Sequence, residues 1–295
     1  MNRTHRRGGL SAALLGLQSA LQWRLWLLWI LATLLPTLLV ALPLWSSLEA
    51  GFGNTLHGAD IATGRNLPLL FQGLAEMGDH LAWVPGGFGA GGVLMLLLSP
   101  WLTGMVVASM RAGRALGFGE LVRGGLAEYW RLLRMLLWSA LPLGLALVAG
   151  SAAMAGLKSG AEDAVLASEA EAATRNGLII AGTLFVLAHA TVEAGRAWLG
   201  ADLALRSVVR AWWRGLKLLL RRPLATLLVY LVASVVGYGL ALLFAWLRLR
   251  VDGVAPGAAL AGFLAAQGMV AMLAFGRIAR LHGLGALAVD RMRRG

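Results

Sequence analysis

The sequence predicts an all-α membrane protein, a polytopic helix bundle with six transmembrane helices. Hydrophobic residues make up 59% of the 295 residues and charged residues only 14%, whereas soluble proteins average roughly 45–50% and 25%. Six separate segments are long and apolar enough to cross the hydrocarbon core, which takes about 20 residues of helix. The basic residues are also divided unequally between alternate loops, as in membrane proteins that follow the positive-inside rule.

The six predicted spans lie at 24–46, 91–110, 132–156, 177–198, 223–246 and 258–276. The first span follows three arginines and resembles a signal peptide, but its apolar stretch is too long for one, so we expect it to remain as a span. The fourth span is the least apolar because it contains His189 and Glu193. The sixth is short, and Gln267 interrupts it.

The distribution of charge predicts the orientation of the chain. The loops expected on the outer side, 47–90, 157–176 and 247–257, contain five Lys or Arg and nine Asp or Glu, whereas the rest of the chain contains 21 and five. An excess of Lys and Arg marks the cytoplasmic side, so we expect both termini there. The outer loops are too short to form a domain of their own. A single integral membrane domain over 1–295 is therefore predicted.

Short markers recur on the side predicted to be cytoplasmic. An Ala-Gly-Arg-Ala or Gly-Arg sequence returns at intervals of 82 and 81 residues, at Ala112–Ala115, Ala194–Ala197 and Gly276–Arg277. A Trp-Arg pair follows the first two of these markers, at Trp130–Arg131 and Trp213–Arg214, and another precedes span one at Trp23–Arg24. The regular spacing of these markers favours a threefold internal hairpin repeat with a truncated fourth copy over Arg280–Arg294. Chance recurrence is the alternative, because the positive-inside rule alone puts arginines at inner ends.

Two segments between spans have an apolar stripe at helical spacing and a polar opposite side, which is typical of helices lying in the headgroup plane. In the first segment, after span two, the basic residues off the apolar face include Arg123, Arg131 and Arg134. The second, after span four, has a basic stripe: Arg206, Arg210, Arg214, Lys217 and Arg221. Attraction to anionic headgroups accounts for both segments. A docking platform for a cytoplasmic or membrane protein partner is the alternative, and no nucleic acid is expected at a face that lies against the bilayer.

Ionisable residues inside spans are candidates for function, because burying them in lipid is costly. His189, Glu193 and Arg196 are spaced i, i+4 and i+7 in span four and so share one helix face. Gln267 in span six is a further polar candidate. One interpretation is a proton relay or polar substrate site. The other is a hydrogen-bonded clamp between helices together with an ion pair at the membrane interface.

Several site classes lack their residues in this sequence. Cysteine is absent, which excludes disulfides and thiolate metal sites. His189 and Glu193 do not make a metalloprotease motif, because that motif needs a second His. No nucleotide motif or nucleophile–base pair is recognisable. We therefore expect no cofactor, no metal and no enzymatic activity.

The stretch Pro100-Trp-Leu-Thr-Gly104, followed by Arg111, Arg114 and Glu120-Leu-Val-Arg-Gly124, resembles an uncharacterised group of bacterial six-span inner-membrane proteins. The resemblance covers mainly 95–150, with a weaker echo at 190–245. It implies the six-span architecture and a bacterial inner-membrane location, and it implies nothing about activity.

Two functions are compatible with these features. The first is a transport-related permease, or the membrane subunit of a transporter, for a lipid or other apolar small molecule. The second is a non-catalytic accessory or scaffold protein of a membrane complex. Small residues spaced four apart in the last two spans also allow close packing into a homo-oligomer. Transport predicts sensitivity to substitution at His189 and Glu193, whereas a scaffold predicts sensitivity in the basic stripe.

Overall fold

The computed structural model describes residues 8–52, 68, 71–72, 75, 77–160, 167–251 and 255–294. Over these residues it contains eight α-helices, one 3-10 turn at Gly78–Leu81 and no β-strand. The helices are α1 Gly9–Ser19, α2 Trp23–Phe52, α3 Val84–Ala112, α4 Phe118–Ser159, α5 Ala167–Ala201, α6 Val208–Arg221, α7 Pro223–Leu249 and α8 Pro256–Met292. Parts of the predicted outer loops, 53–67, 161–166 and 252–254 among them, lie outside the described residues.

Six of these helices, α2, α3, α4, α5, α7 and α8, are long and apolar enough to cross a membrane. Large hydrophobic side chains are exposed along them; on α4, for example, Leu137 is 67% and Leu145 is 70% exposed. Such a surface is stable against lipid tails and costly against water. The prediction of an all-α, multi-pass membrane protein is confirmed.

Each predicted span lies within one helix, but the first connecting segment is not a separate helix. It forms the start of the 42-residue helix α4, which continues through span three. The second connector is separate, as α6, because Pro223 follows it directly. Proline disfavours a helical backbone at the preceding residue, and Arg222 has φ −139° and ψ 57°. No proline separates the first connector from its span, so α4 is unbroken there.

Span six was predicted to end at 276, but the helix that contains it does not end there. Helix α8 continues through 37 residues to Met292, so the predicted fourth copy is the end of this helix. The reason is visible in its packing: Ile278, Leu281, Leu284 and Leu287 are each at most 1% exposed. Every residue from 278 to 288 is buried, so this end of the helix is enclosed on all sides.

The chain forms two compact units. The first comprises Met1–Leu21, Thr103–Ser234 and Arg277–Gly295, and the second comprises Gln22–Leu102 and Val235–Gly276. The first unit therefore contains α1, α4, α5 and α6, the end of α3, the start of α7 and the end of α8. Its apolar core includes Leu132, Met135 and Val192 around one centre and Val229 and Leu287 around another.

In the first unit, helices cross at short distance in three places. Helices α1, α4 and α6 each begin seven residues before a buried glycine, Gly16, Gly125 and Gly215. Each glycine contacts the backbone of an adjacent helix. A Cβ added to Gly215 would lie 2.7 Å from the Thr191 carbonyl oxygen, and one added to Gly104 would lie 2.7 Å from the Gly125 carbonyl oxygen.

The third crossing joins α1 to the end of α8, where a Cβ on Gly16 would collide with the Ala279 carbonyl oxygen. The contacted positions, Gly104, Thr191 and Ala279, are 87 and 88 residues apart. Two arginines in this unit also contact partners at the same separation along the chain. Arg131 reaches the Leu199 carbonyl 68 residues later, and Arg222 pairs with an aspartate, Asp290, also 68 residues later. The first unit therefore contains three similar glycine crossings.

The markers that were predicted to recur at intervals of 82 and 81 residues do not coincide with these crossings. Gly113, in the first Ala-Gly-Arg marker, lies in the turn after α3 and has a positive φ of 62°. Gly195, in the second marker, is buried inside α5, and Gly276 lies inside α8. The markers therefore occupy different structural positions.

The second unit contains α2, most of α3, and the remaining parts of α7 and α8. Small residues again bring backbones together, since a Cβ on Gly237 of α7 would lie 2.6 Å from the Cα of Gly276 of α8. Trp26 of α2 packs edge-on against Phe275, with ring centroids 5.9 Å apart. Close approach at small residues is the usual packing mode between helices in lipid.

Candidate functional site

Glu193 is the buried charge at the centre of the candidate site. It lies on α5, and only 1% of its surface is exposed. Arg196, three residues later, donates a hydrogen bond from Nη1 to Oε1 of Glu193 at 2.5 Å and is itself 8% exposed. Residues three apart share a helix face. The local sequence of α5 is therefore sufficient to form this ion pair.

Helix α8 contributes two more arginines. Arg280 has its Nε 3.9 Å from Oε2 of Glu193, and its Nη1 donates to Ser234 Oγ at 3.0 Å. Arg277, one turn earlier on α8, donates from Nη2 to Thr103 Oγ1 at 3.0 Å. It is also near enough to act electrostatically on Glu193. We call Glu193, Arg196, Arg277 and Arg280 the Glu193 cluster.

His189 and Tyr230 form one edge of the Glu193 cluster. His189 Nδ1 and the Tyr230 hydroxyl are hydrogen-bonded at 2.8 Å, and His189 Nε2 is 3.9 Å from Oε1 of Glu193. The imidazole stacks on Phe185, and the Arg280 guanidinium lies over the Tyr230 ring, 5.5 Å from its centroid. Tyr230 on α7 thus joins the groups presented by α5 and α8.

The Glu193 cluster has more positive than negative charge. Glu193 supplies one carboxylate against three guanidinium groups. Glu169 and Glu171 are exposed near the other end of α5, roughly 30 Å away at 1.5 Å per residue. The other carboxylates described in the first unit are engaged elsewhere: Glu120 with Arg114, Glu128 with Arg111 and Arg131, Asp202 with Arg214, and Asp290 with Arg222 and Arg294. Glu193 is therefore the carboxylate that these guanidinium groups share among the described residues of the first unit.

A further polar layer lies in the same unit. Ser109 Oγ and His282 Nε2 are hydrogen-bonded at 3.1 Å, and His282 is 6% exposed. Trp212 Nε1 donates to Thr191 Oγ1 at 3.0 Å. These neutral pairs satisfy buried polar atoms within the unit, and they link α3 to α8 and α6 to α5.

No protein-family model matches this chain, and no curated protein and no solved structure matches it. The resemblance to six-span inner-membrane proteins therefore stays a prediction. What the chain does has to be inferred from its own geometry.

Three of the four polar residues predicted inside the membrane come together. His189, Glu193 and Arg196 form one connected group on α5, as their spacing indicated. Gln267 is half-buried in the part of α8 that belongs to the second unit.

The sequence analysis missed Arg277, Arg280 and His282 as members of a buried polar region. The cause was the boundary of span six, because the positive-inside rule places an arginine at a membrane edge and the span was ended there. The sequence did contain a signal that the helix continues. Ile278 and Leu281 are apolar residues at helical spacing, and they predict a helix that runs past both arginines.

Four residues of the basic stripe lie on α6 and Arg206 lies just before it, and all five side chains are exposed. Two of them are held by neighbours. Arg214 pairs with Asp202 at 2.7 Å and lies over the Trp198 ring, while the ammonium group of Lys217 lies 5.4 Å from the Trp213 ring centroid. Ser207 accepts a hydrogen bond from the Arg210 backbone N–H and so caps the helix.

On α4, Arg123 and Arg134 are exposed, as expected for a lipid- or partner-facing surface. Arg131 is not part of that surface. It pairs with Glu128 at 2.9 Å and donates to the carbonyl oxygens of Leu199 and Leu205. Arg111 pairs with the same glutamate and with carbonyl groups at the end of α5. These arginines cap the C-terminus of α5, whose last carbonyl groups lack partners within the helix.

Beyond the spans, Arg114 pairs with Glu120 at 2.6 Å, and this carboxylate also accepts a hydrogen bond from the Gly117 N–H at the start of α4. The hydrogen bond from Arg114 to Glu120 raises the pKa of the guanidinium. Among the described residues, no three His, Asp or Glu side chains are placed to hold a metal ion.

Proposed function

We propose that this protein is a transport-related permease, or the membrane subunit of a transporter, for a lipid or other apolar small molecule. The observation that carries the proposal is the Glu193 cluster, which places four charged side chains within apolar helices. Each charge at the centre of a membrane helix costs about 2.5–3.5 kcal/mol on insertion scales. A chain that needed only packing would be more stable with apolar residues at these positions, so the retained charges favour a ligand.

The proposed setting is a bacterial inner membrane with both termini in the cytoplasm. The distribution of Lys and Arg supports this orientation. In that arrangement the basic stripe faces anionic cytoplasmic headgroups, which adds about 1 kcal/mol of attraction per nearby basic residue.

A scaffold function is the second candidate, because the side chains of the basic stripe are exposed and flanked by the half-exposed Trp213. An acidic surface of a cytoplasmic or membrane protein partner would complement it. Several copies of this chain would in addition associate with one another as a homo-oligomer.

The test begins with purification from the host in native-lipid nanodiscs, followed by native mass spectrometry. The transport proposal expects a bound lipid or small molecule, with or without a transporter subunit. It also expects the Glu193→Gln variant to lose that molecule or its movement across vesicles, while Glu171→Gln, an exposed glutamate on the same helix, behaves as wild type. A stoichiometric partner that is lost in Arg206→Gln and Arg210→Gln but retained in Glu193→Gln would support the scaffold function and contradict transport.

A further inference from the structure

We propose that the three crossing helices of the first unit dock onto an anionic lipid leaflet through exposed apolar side chains, which we call the outer apolar surface. The crossing helices are α1, the first part of α4 up to Arg131, and α6. The outer apolar surface consists of Leu10, Leu14, Leu21, Leu126, Trp130, Val209, Trp213 and Leu220. Such docking concerns the lipid around the protein, and so it goes beyond the proposed function, which concerns a molecule that is moved.

The buried side of each crossing helix is already occupied by protein. Gly16, Gly125 and Gly215 lie there against backbone atoms of other helices. On α6, Val208 and Leu218 also pack into the apolar cores of the unit. The apolar stripe that the sequence shows on α6 is therefore largely used for packing within the protein, and the exposed apolar residues need a cover of their own.

The outer apolar surface is a second apolar side of these helices. Its members are between 48% and 70% exposed. Three pairs in it are spaced four residues apart and so share a helix face: Leu10 and Leu14, Leu126 and Trp130, and Val209 and Trp213. Leu14 and Trp213 each lie two residues before a buried glycine, and residues two apart do not share a face. The exposed apolar side is thus distinct from the buried side.

On α4 the outer apolar surface continues into the membrane span. Leu126 and Trp130 are followed at helical spacing by Leu137, Leu141 and Val148, and all five are more than half exposed. Because α4 is unbroken, these residues lie along one side of one helix. Lipid covers the last three, since they belong to an apolar span. Continuity of the surface makes lipid the expected cover of the first two as well.

Three members of the outer apolar surface lie beside the start of a span. Leu21 precedes α2 by two residues, and Leu220 precedes α7 by three. Trp130 precedes the predicted span three by two residues. Two or three residues measure about 3–5 Å along a helix, and the headgroup layer of one leaflet is about 5–8 Å thick. These side chains are therefore placed for the headgroup layer, where the amphipathic ring of tryptophan is favoured.

Basic side chains flank the outer apolar surface. The basic stripe is exposed on α6, where the ammonium group of Lys217 lies 5.4 Å from the Trp213 ring centroid. On α4, Arg123 and Arg134 are exposed, and Arg134 Nε donates to the Trp130 carbonyl oxygen at 3.3 Å. Apolar residues next to cations match the boundary of an anionic leaflet, where acyl chains adjoin phosphate groups. An acidic protein surface would complement the cations alone.

The first experiment measures the surroundings of the surface by electron paramagnetic resonance, with the full chain in nanodiscs of phosphatidylethanolamine and phosphatidylglycerol. The chain has no cysteine, so one nitroxide can be attached in Leu14→Cys, Leu126→Cys or Leu220→Cys. Ser11→Cys and Ala127→Cys are exposed control sites outside the outer apolar surface. Power saturation compares the access of oxygen, which concentrates among acyl chains, with the access of a polar nickel chelate, which stays in water.

The ratio of oxygen access to nickel access should be about tenfold higher at the three test sites than at the controls, because a polar solute is excluded from an apolar environment. Equal ratios at test and control sites would overturn the inference, since the surface would then face water. Loss of access to both reagents would also overturn it, and accompanying spin–spin broadening would identify a second copy of the chain as the cover.

The second experiment tests the charge of the leaflet. Bimane on Leu220→Cys is quenched by lipids with brominated chains, and brominated phosphatidylglycerol is compared with brominated phosphatidylcholine at equal mole fraction. One nearby basic residue should enrich the anionic lipid about fivefold, and Lys217→Gln should reduce this preference. Bimane on Leu145→Cys, an exposed site within span three, is the control and should show no preference. Equal quenching by both lipids at Leu220 would overturn the inference.

Failure of the docking surface and failure of the proposed function are distinguishable. Both experiments measure contact with lipid at equilibrium and are independent of transport. A chain that docks in this way but moves no lipid or small molecule would retain the outer apolar surface and refute the proposed function.

Discussion

The crossing of α6 over α5 at Gly215 provides a direct test of the packing. A Cβ at this position would lie 2.5 Å from the Gly195 nitrogen and 2.7 Å from the Thr191 carbonyl oxygen. Both are backbone atoms, so no side-chain rotation relieves the collision, and the helices must separate. Overpacking of this kind costs about 1–3 kcal/mol. Alanine at the same time gains about 0.5–1 kcal/mol of helix propensity over glycine.

A matched control removes the propensity effect. Gly182 is exposed on α5, and a Cβ there meets nothing within 4 Å. The difference between Gly215→Ala and Gly182→Ala therefore isolates the crossing, and we expect Gly215→Ala to be less stable by about 1–3 kcal/mol. At about 2–4 °C per kcal/mol, this is a difference in melting temperature of about 2–12 °C.

The assay is thermal unfolding of the purified variants in one detergent, followed by tryptophan fluorescence from the 12 tryptophans. Gly16→Ala, at the crossing of α1 with α8, should behave like Gly215→Ala because a Cβ at either position collides with backbone atoms of another helix. If Gly215→Ala melts at or above the temperature of Gly182→Ala, the close crossing is not a feature of the protein in solution.

Three further predictions concern the Glu193 cluster, the orientation and the basic stripe. Glu193→Gln leaves buried arginines uncompensated and should destabilise the protein by about 3–5 kcal/mol, against less than about 0.5 kcal/mol for the exposed Glu171→Gln; equal melting temperatures would contradict the burial. Since the chain has no cysteine, single cysteines report topology: an impermeant maleimide added to intact cells should label Ser159→Cys and leave Ser11→Cys unlabelled, and the reverse pattern would invert the orientation. Arg210→Gln should lower the number of anionic lipids retained in native mass spectra, and an unchanged count would remove the headgroup interpretation of the basic stripe.

The existence of the spans was readable from the sequence because it depends on length and hydropathy alone. The positions of the helix ends were not readable from the sequence in this way. Span six was ended at Gly276, before Arg277, because a charge count treats every arginine as solvated, whereas residues 278 to 288 are buried. Arg131 was placed off the apolar face of its connector by helical spacing, whereas Glu128 and the carbonyl groups at the end of α5 bind it.

One part of the candidate site could be predicted from the sequence, and another part could not. The group of His189, Glu193 and Arg196 was predictable, because three residues on one helix face meet through local geometry. Arg280 lies 87 residues beyond Glu193 in the chain, and its approach depends on how α5 and α8 pack. No spacing rule connects positions so far apart.

The sequence by itself determined the class of this protein: an all-α chain with six apolar helices, a strong bias in basic residues, and an ionisable group inside span four. The tertiary structure alone decided the glycine crossings and the membership of the Glu193 cluster. The physical reason is that hydropathy and helical periodicity are summed over neighbouring residues. The contacts of Gly16 with α8, and of Glu193 with Arg280, exist only after distant helices have packed at short distance.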